Sequence, residues 1–377
     1  MDWLSAHDAL ALLGTQPQTL YANVSRGRIK AKRDPDDSRK SLYRGDDVRR
    51  LAQRAAGRRK QDAVAAQAMQ WGDPVLPTSI STVLGGRLLY RGRDAVELAE
   101  TATLEDIAAL LWQAPCQLPA QRPVDITGLS TAFVALATKA AQIFPAVRSP
   151  APLAQEAGSV LAVLATSLMG DAAAGDMLHV RLARRWARAD ATEIIRRTLV
   201  LLADHELNAS TFAARIAVST GASLWSGAVA GLATLNGPRH GLAWRAVAAL
   251  AHDLDHTPGS PHDALRDWLG EGRSVAGMGH PLYPDGDARA TALLDQFDIP
   301  APFRQLGEAG EQITGERPNM DFALAAMATA FELPADAPMT LFALARCVGW
   351  LAHALEQIAA GPLIRPRARY VGAAAPA

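Results

Sequence analysis

A few short stretches of this chain hold side chains that can move protons or hold anions. Asp204-His205-Glu206-Leu207-Asn208 carries one imidazole, and Asn236-Gly237-Pro238-Arg239-His240-Gly241 a second. Gly277-Met278-Gly279-His280 brings a third, followed by Asp287 and Arg289. Pro318-Asn319-Met320-Asp321-Phe322 adds a carboxylate, and Arg346 and Arg365 add two more guanidinium groups. A carboxylate takes a proton, an imidazole gives or takes one, and an arginine fork pairs bidentately with a carboxylate, fixing orientation as well as charge. Singly each stretch says little, since a lone histidine in an apolar helix is more often a hydrogen-bonded core residue than a catalyst.

Other chemistries find little to work with. His252 and His256 stand four apart with His262 nearby, but the cluster precedes Pro258-Gly259 and reads as a solvated helix end; no metal site is expected. Gly277-Met278-Gly279 lacks the third glycine and the preceding strand of a dinucleotide fingerprint. Cys116 and Cys347 are too few and too far apart for a disulfide framework or a zinc ribbon. Trp225, Trp244, Trp268 and Trp350 read as packing residues.

The elements that must position these groups read as helices. The chain has 377 residues, 49% of them hydrophobic and 20% charged, which excludes a disordered chain and gives ample length for a large core. Apolar periodicity predicts helices at Leu104 to Trp112, Leu129 to Ile143, Leu153 to Leu168, Ala191 to Ala203, Ser210 to Asn236 and Leu341 to Ile358, with no run of strands between them. The uncharged run from Ile216 to Pro238 would span a bilayer, but its scattered Ser, Thr and Gly suit a helix buried in protein. No membrane contact is expected. Met1-Asp2-Trp3 lacks the basic start of a secretory signal, so the expected location is cytoplasmic.

A formal net charge of zero hides an asymmetry. Residues 1–60 carry 14 Lys and Arg against 7 Asp and Glu, and the rest is acidic by the same margin. Ser5 is placed to cap one short helix, Thr15 and Pro17 start a second, and Arg28 to Tyr43 reads as a basic hairpin turning at Asp34-Pro35-Asp36-Asp37.

Leu4-Ser5-Ala6 through Leu12-Leu13-Gly14, then Pro17 to Tyr21, Gly27-Arg28-Ile29 and Leu42-Tyr43, resemble the MerR/excisionase winged helix-turn-helix group over about the first 55 residues. That resemblance implies double-stranded DNA as a partner. Gln16, Gln18, Thr19, Asn23 and Arg26 are the exposed candidates for base or phosphate contact. Arg28, Lys30, Lys32, Arg33, Arg39 and Lys40 are the expected phosphate-neutralising set.

From about Ser79 to the end, the order and spacing of the histidine, aspartate and arginine stretches resemble the citrate synthase family. Ser79-Ile80-Ser81, Leu89-Tyr90-Arg91-Gly92 and Glu97-Leu98-Ala99 match that family's entry segment. Taken with the first resemblance, this one implies a mainly α chain: a winged helix-turn-helix domain at 1–54, a linker at 55–68, a large helical domain from 69–241 and 333–377, and a small one at 242–332. It implies a homodimer that condenses an acyl-CoA, acetyl or propionyl, with oxaloacetate through an enol and then hydrolyses the thioester, needing no cofactor beyond the acyl-CoA substrate. Asp321 would be the base, His240 the donor to the thioester carbonyl and His280 the donor to the ketone oxygen. His205, Arg289, Arg346 and Arg365 would hold the oxo acid, with Arg365 reaching the neighbouring subunit's site. The chain departs from the family where Gly241-Leu242-Ala243-Trp244-Arg245 follows His240 and Pro281-Leu282-Tyr283-Pro284 follows His280, changes that bear on the acyl-CoA. The alternative is a DNA-binding transcription regulator with the helical body as its metabolite sensor.

Overall fold

A computed structural model describes residues 3–13, 20, 23–24, 29–34, 41–49, 76–142, 149–170, 175–256, 259–271, 273–366 and 372. The chain divides into two compact units, Met1–Pro77 with Arg365–Ala377, and Thr78–Ile364.

In the first unit, strands β1 (Trp3–Leu4), β2 (Ala31–Arg33) and β3 (Ser41–Arg44) form an antiparallel sheet in the order β1-β3-β2. Trp3 pairs with Arg44 and Leu4 with Tyr43, while Ala31, Lys32 and Arg33 face Tyr43, Leu42 and Ser41. The expected basic hairpin is therefore present in its strands; its turn lies outside the described residues. Ser5 begins the helix Ala6–Leu13, its hydroxyl accepting the Asp8 amide at 3.2 Å. Residues 45–49 are helical. Ala9, Leu13, Leu20, Ile29, Tyr43 and Val48 make a small core of their own. Asn23, expected to be exposed, is instead buried, and its carbonyl takes the Ile29 amide at 3.3 Å. Gln18, Thr19, Arg26 and Arg28, and the expected linker, lie outside the described residues.

The second unit is mainly helical and starts with strands that the periodicity did not predict. Strands β4 (Ser81–Leu84), β5 (Arg87–Tyr90) and β6 (Arg93–Asp94) form an antiparallel meander. They are too short for alternation to register, and they turn at Gly85-Gly86, both with positive φ (58° and 74°). The predicted single helix Ser210 to Asn236 is two, Ala209–Ser219 and Leu224–Leu235, which pack on each other. Gly221 (φ 88°) breaks the run, and Ser223 caps the second helix by accepting the Ser226 amide.

The 24-residue helix Ala337–Ala360 runs through the core, in contact with both of those helices. It is long and apolar enough to cross a membrane, yet 94% of its most apolar window is buried within the protein. Arg346, Trp350 and His353, at helical spacing, are all buried. A Cβ at Gly231 would lie 2.6 Å from the Trp350 ring, so the small residue there is what lets the indole in.

Candidate active site

His205 sits in the turn after the helix Thr192–Leu202, held from three sides. Glu206 has positive φ (52°), and its carboxylate accepts the Val83 amide at 2.6 Å and the Thr82 hydroxyl at 3.0 Å. Asn208 donates from Nδ2 to the His205 carbonyl at 3.2 Å while its Oδ1 caps the next helix. Asp204, fully buried, accepts from Ser81 and lies 3.1 Å from His353 Nε2. The core helix grips the same turn: Arg346 Nε donates to the Leu202 carbonyl at 3.0 Å and the Gly349 amide to the Ala203 carbonyl at 3.1 Å. A Cβ at Gly349 would collide with Asp204 and the Ala203 carbonyl.

His240 lies in the loop between helices Leu224–Leu235 and Trp244–His256. Gly241 closes that loop, its amide donating to the Leu235 carbonyl at 2.9 Å, where an added Cβ would lie 2.5 Å from the same oxygen. The Nε2 of His240 is 2.8 Å from Ser210 Oγ, which accepts from Trp350 Nε1 at 3.0 Å. Trp350 thus orients a serine as well as packing.

His280 and Asp321 are brought together by backbone. The Gly279 amide donates to the Arg317 carbonyl and the Asn319 amide to the Gly277 carbonyl, both at 2.8 Å, and Asn319 Nδ2 donates to the Gly279 carbonyl at 2.9 Å. The same Asn319 caps the helix Met320–Ala330, so one side chain positions both the His280 loop and Asp321 in the first turn. His280 Nδ1 accepts the Leu282 amide at 3.2 Å, which leaves the N–H of the neutral ring on Nε2.

Arg289 follows Asp287, the cap of helix Ala288–Leu294, and the two buried side chains form a fork-to-fork pair at 2.9 and 2.8 Å. Tyr283 ties the histidines to this arginine. Its hydroxyl is 2.8 Å from His205 Nε2, and its ring centroid is 5.1 Å from that of His280 and 5.0 Å from the Arg289 guanidinium. His205 and His280 stand 5.1 Å apart, edge to face.

Burial and charge set the protonation states. Burial, with the Arg346 charge, pulls His240 down to about 4; burial, with Arg289, pulls His280 down to about 4. His205 falls well below its ordinary value by burial and by Arg289 and Arg346. All three imidazoles are neutral at neutral pH. Burial pushes Asp321 up to about 6, against the pull of Arg289 and Arg346. Arg346 drops to about 10 by burial, its cation compensated less than that of Arg289, whose pairing with Asp287 outweighs burial and raises it. The Nη atoms of Arg346 make no hydrogen bond among the described residues. The cluster therefore combines two buried guanidinium groups, neutral imidazoles and a carboxylate poised to change protonation near neutrality. That set holds a small anion and takes a weakly acidic proton from something beside it.

Six of the seven expected site residues, His205, His240, His280, Arg289, Asp321 and Arg346, lie in the unit Thr78–Ile364, and the charges of Arg289 or Arg346 bear on each of the other four. Arg365 is exposed and falls in the other unit. Lys30, Lys32 and Arg33 are exposed on the first unit, with Lys32 Nζ 4.5 Å from the Trp3 ring. No group of three or more metal-ligating side chains occurs among the described residues. Sequence reasoning missed Tyr283, Ser210 and the polar role of Trp350; their spacing, three after His280 and four after Arg346 for the aromatics, was the available signal.

Known proteins resemble this chain in sequence and in fold. Relatives include a citrate synthase of Haloferax volcanii, 39% identical over 184 residues, covering 46% of this chain and 48% of that one. A 2-methylcitrate synthase 1 of Corynebacterium glutamicum is 33% identical over 198 residues, covering 49% and 51%. The chain thus spans about half the length of the relatives it matches by sequence. In fold it is similar to the Thermoplasma acidophilum citrate synthase in ternary complex with carboxymethyl coenzyme A and oxaloacetate: TM-score 0.66, 23% identity, 82% of this chain and 97% of that one. The Thermotoga maritima citrate synthase has a TM-score of 0.63 at 24% identity, covering 81% and 96%. The family model for the citrate synthase C-terminal domain matches residues 164–367, a span that contains all seven expected site residues, and this chain belongs to the citrate synthase family.

Proposed function

We propose that this chain condenses an acyl-CoA with oxaloacetate and hydrolyses the resulting thioester, releasing CoA and citrate, or 2-methylcitrate if the acyl group is propionyl. The observation that carries this reading is Asp321, a buried carboxylate lifted to about 6 beside two buried arginines and neutral imidazoles. Arg289, Arg346 and His205 hold the oxo acid. Asp321 takes a proton from the carbon beside the thioester. His240, anchored through Nε2 to Ser210 Oγ, donates a hydrogen bond to the thioester oxygen, stabilising the enol. The enol carbon bonds to the ketone carbon, and His280 gives its Nε2 proton to the oxygen that becomes the hydroxyl. Water then cleaves the thioester.

Thiol release from acetyl-CoA or propionyl-CoA in the presence of oxaloacetate tests this. Asp321→Asn should lower turnover about 10²–10⁴-fold with oxo-acid binding retained. Bound oxaloacetate with no thiol release by the natural chain would leave a sensor in place of an enzyme.

The finer reading of the first unit is a winged helix-turn-helix that binds double-stranded DNA, supported by exposed Lys30, Lys32 and Arg33 on and beside its short sheet. Each phosphate contact contributes about 0.9 to the slope of log affinity against log salt. Lys30→Ala with Lys32→Ala should flatten that slope and weaken binding to all sequences alike; no DNA binding by the full chain at low salt would leave a protein-contact role.

A further inference from the structure

Tyr283 is 2% exposed and takes no part in the proton transfers above. Its position is fixed by the chain: the Tyr283 amide donates to the His280 carbonyl at 2.8 Å, and the Gly286 amide to the Tyr283 carbonyl at 3.0 Å. Its hydroxyl lies 2.8 Å from His205 Nε2 and has no other hydrogen-bond partner among the described residues. Burial pushes this phenol up to about 12, so it keeps its proton at any working pH.

A buried hydroxyl has one proton to place, and the acceptor within reach is His205 Nε2. The reverse arrangement, Nε2–H donating to the phenol oxygen, leaves the phenol proton buried with no acceptor, which is the more costly state. A neutral imidazole carries one N–H, so once Nε2 accepts, that N–H sits on Nδ1. Nδ1 makes no hydrogen bond among the described residues, so it is the ring nitrogen open to a ligand. We propose that Tyr283 is a positioning residue that locks His205 in the Nδ1–H tautomer, so that this histidine is a fixed hydrogen-bond donor to a carboxylate of the oxo acid. The ligand half of this inference rests on the proposed function; the tautomer half does not. A site that holds an anion needs its neutral members to present donors, and a histidine free to choose its tautomer would present a lone pair part of the time.

Tyr283→Phe removes only the hydroxyl and keeps the ring under Arg289. Nitrogen-15 NMR of His205 in the natural chain should give Nδ1 protonated and Nε2 unprotonated, and in Tyr283→Phe a mixture. The KM and calorimetric Kd for oxaloacetate should rise about tenfold, as for an acceptor left unpaired, with kcat changed much less. In a His205→Asn background the further change Tyr283→Phe should have no effect on oxaloacetate binding, because the phenol acts through the imidazole. A natural chain with Nε2 protonated overturns the proposal without any variant. So does a Tyr283→Phe chain that binds oxaloacetate as tightly as the natural one, or a full effect in the His205→Asn background. If the natural chain binds no oxaloacetate, the proposed function and the ligand half fall together, and the NMR tautomer still decides the role of Tyr283.

Discussion

Asp321 holds its place at a thermodynamic disadvantage. Burial lifts its carboxyl from 3.8 to about 6, because the low-dielectric surroundings disfavour the anion more than Arg289 and Arg346 favour it. Between those two values the folded chain binds a proton that the unfolded chain has released, so stability falls as pH rises through that window. Asp321→Asn removes the penalty. The variant should be more stable than the natural chain above about pH 6, by up to about 3 kcal/mol at 1.36 kcal/mol per pK unit, with the difference gone below about pH 4. Urea unfolding at pH 7.5 and 4.0 measures this, and equal stability at pH 7.5 would place Asp321 in a better-solvated setting. Gained stability beside lost turnover is the usual trade at a catalytic carboxylate. The site residues that the sequence made legible are those with chemistry in their side chains. Tyr283 was not, since a tyrosine three after a histidine reads as packing until its hydroxyl has a partner. Ser210 was hidden likewise, being one of several serines in a bland helix.

Periodicity located helices better than it located their interruptions. The predicted helix at Leu104 to Trp112 is found with those bounds, its Thr103 forming a capping box with Asp106. The hairpin in the first unit followed from turn chemistry between β-prone runs. Two features escaped. The run from Ser210 to Asn236 stays apolar and small across its break, so hydrophobicity is continuous where the backbone is not; only Gly221 and Ser223, a left-handed glycine and a cap, mark the turn. The strands at 81–94 are two to four residues long, shorter than an alternating pattern needs. That small sheet is what holds the His205 turn, through Ser81, Thr82 and Val83, while the core helix holds it from the other side through Arg346, Gly349 and His353. The close approach at Gly349 leaves no room for a side chain, so the register of helix and turn is set by sterics as well as hydrogen bonds.

At the scale of the whole molecule the open question is Arg365. It lies outside the unit that holds the other six site residues, and its resemblance to a family position implies that it serves a neighbouring chain. A two-fold dimer makes that proposal testable without a structure of the assembly. If each site takes Asp321 from its own chain and Arg365 from its partner, a dimer of one Asp321→Asn chain and one Arg365→Ala chain has one intact site and one doubly defective site. Random exchange in an equal mixture makes half the dimers mixed, so thiol release should recover to about a quarter of the natural level from two inactive parents. If Arg365 serves its own chain, every site in every dimer lacks one group and no activity returns. Subunit exchange is confirmed separately with distinguishable tags, so that silence in the assay has one meaning. Recovery would establish both the dimer and the crossing arginine; silence after proven exchange would assign Arg365 to its own chain.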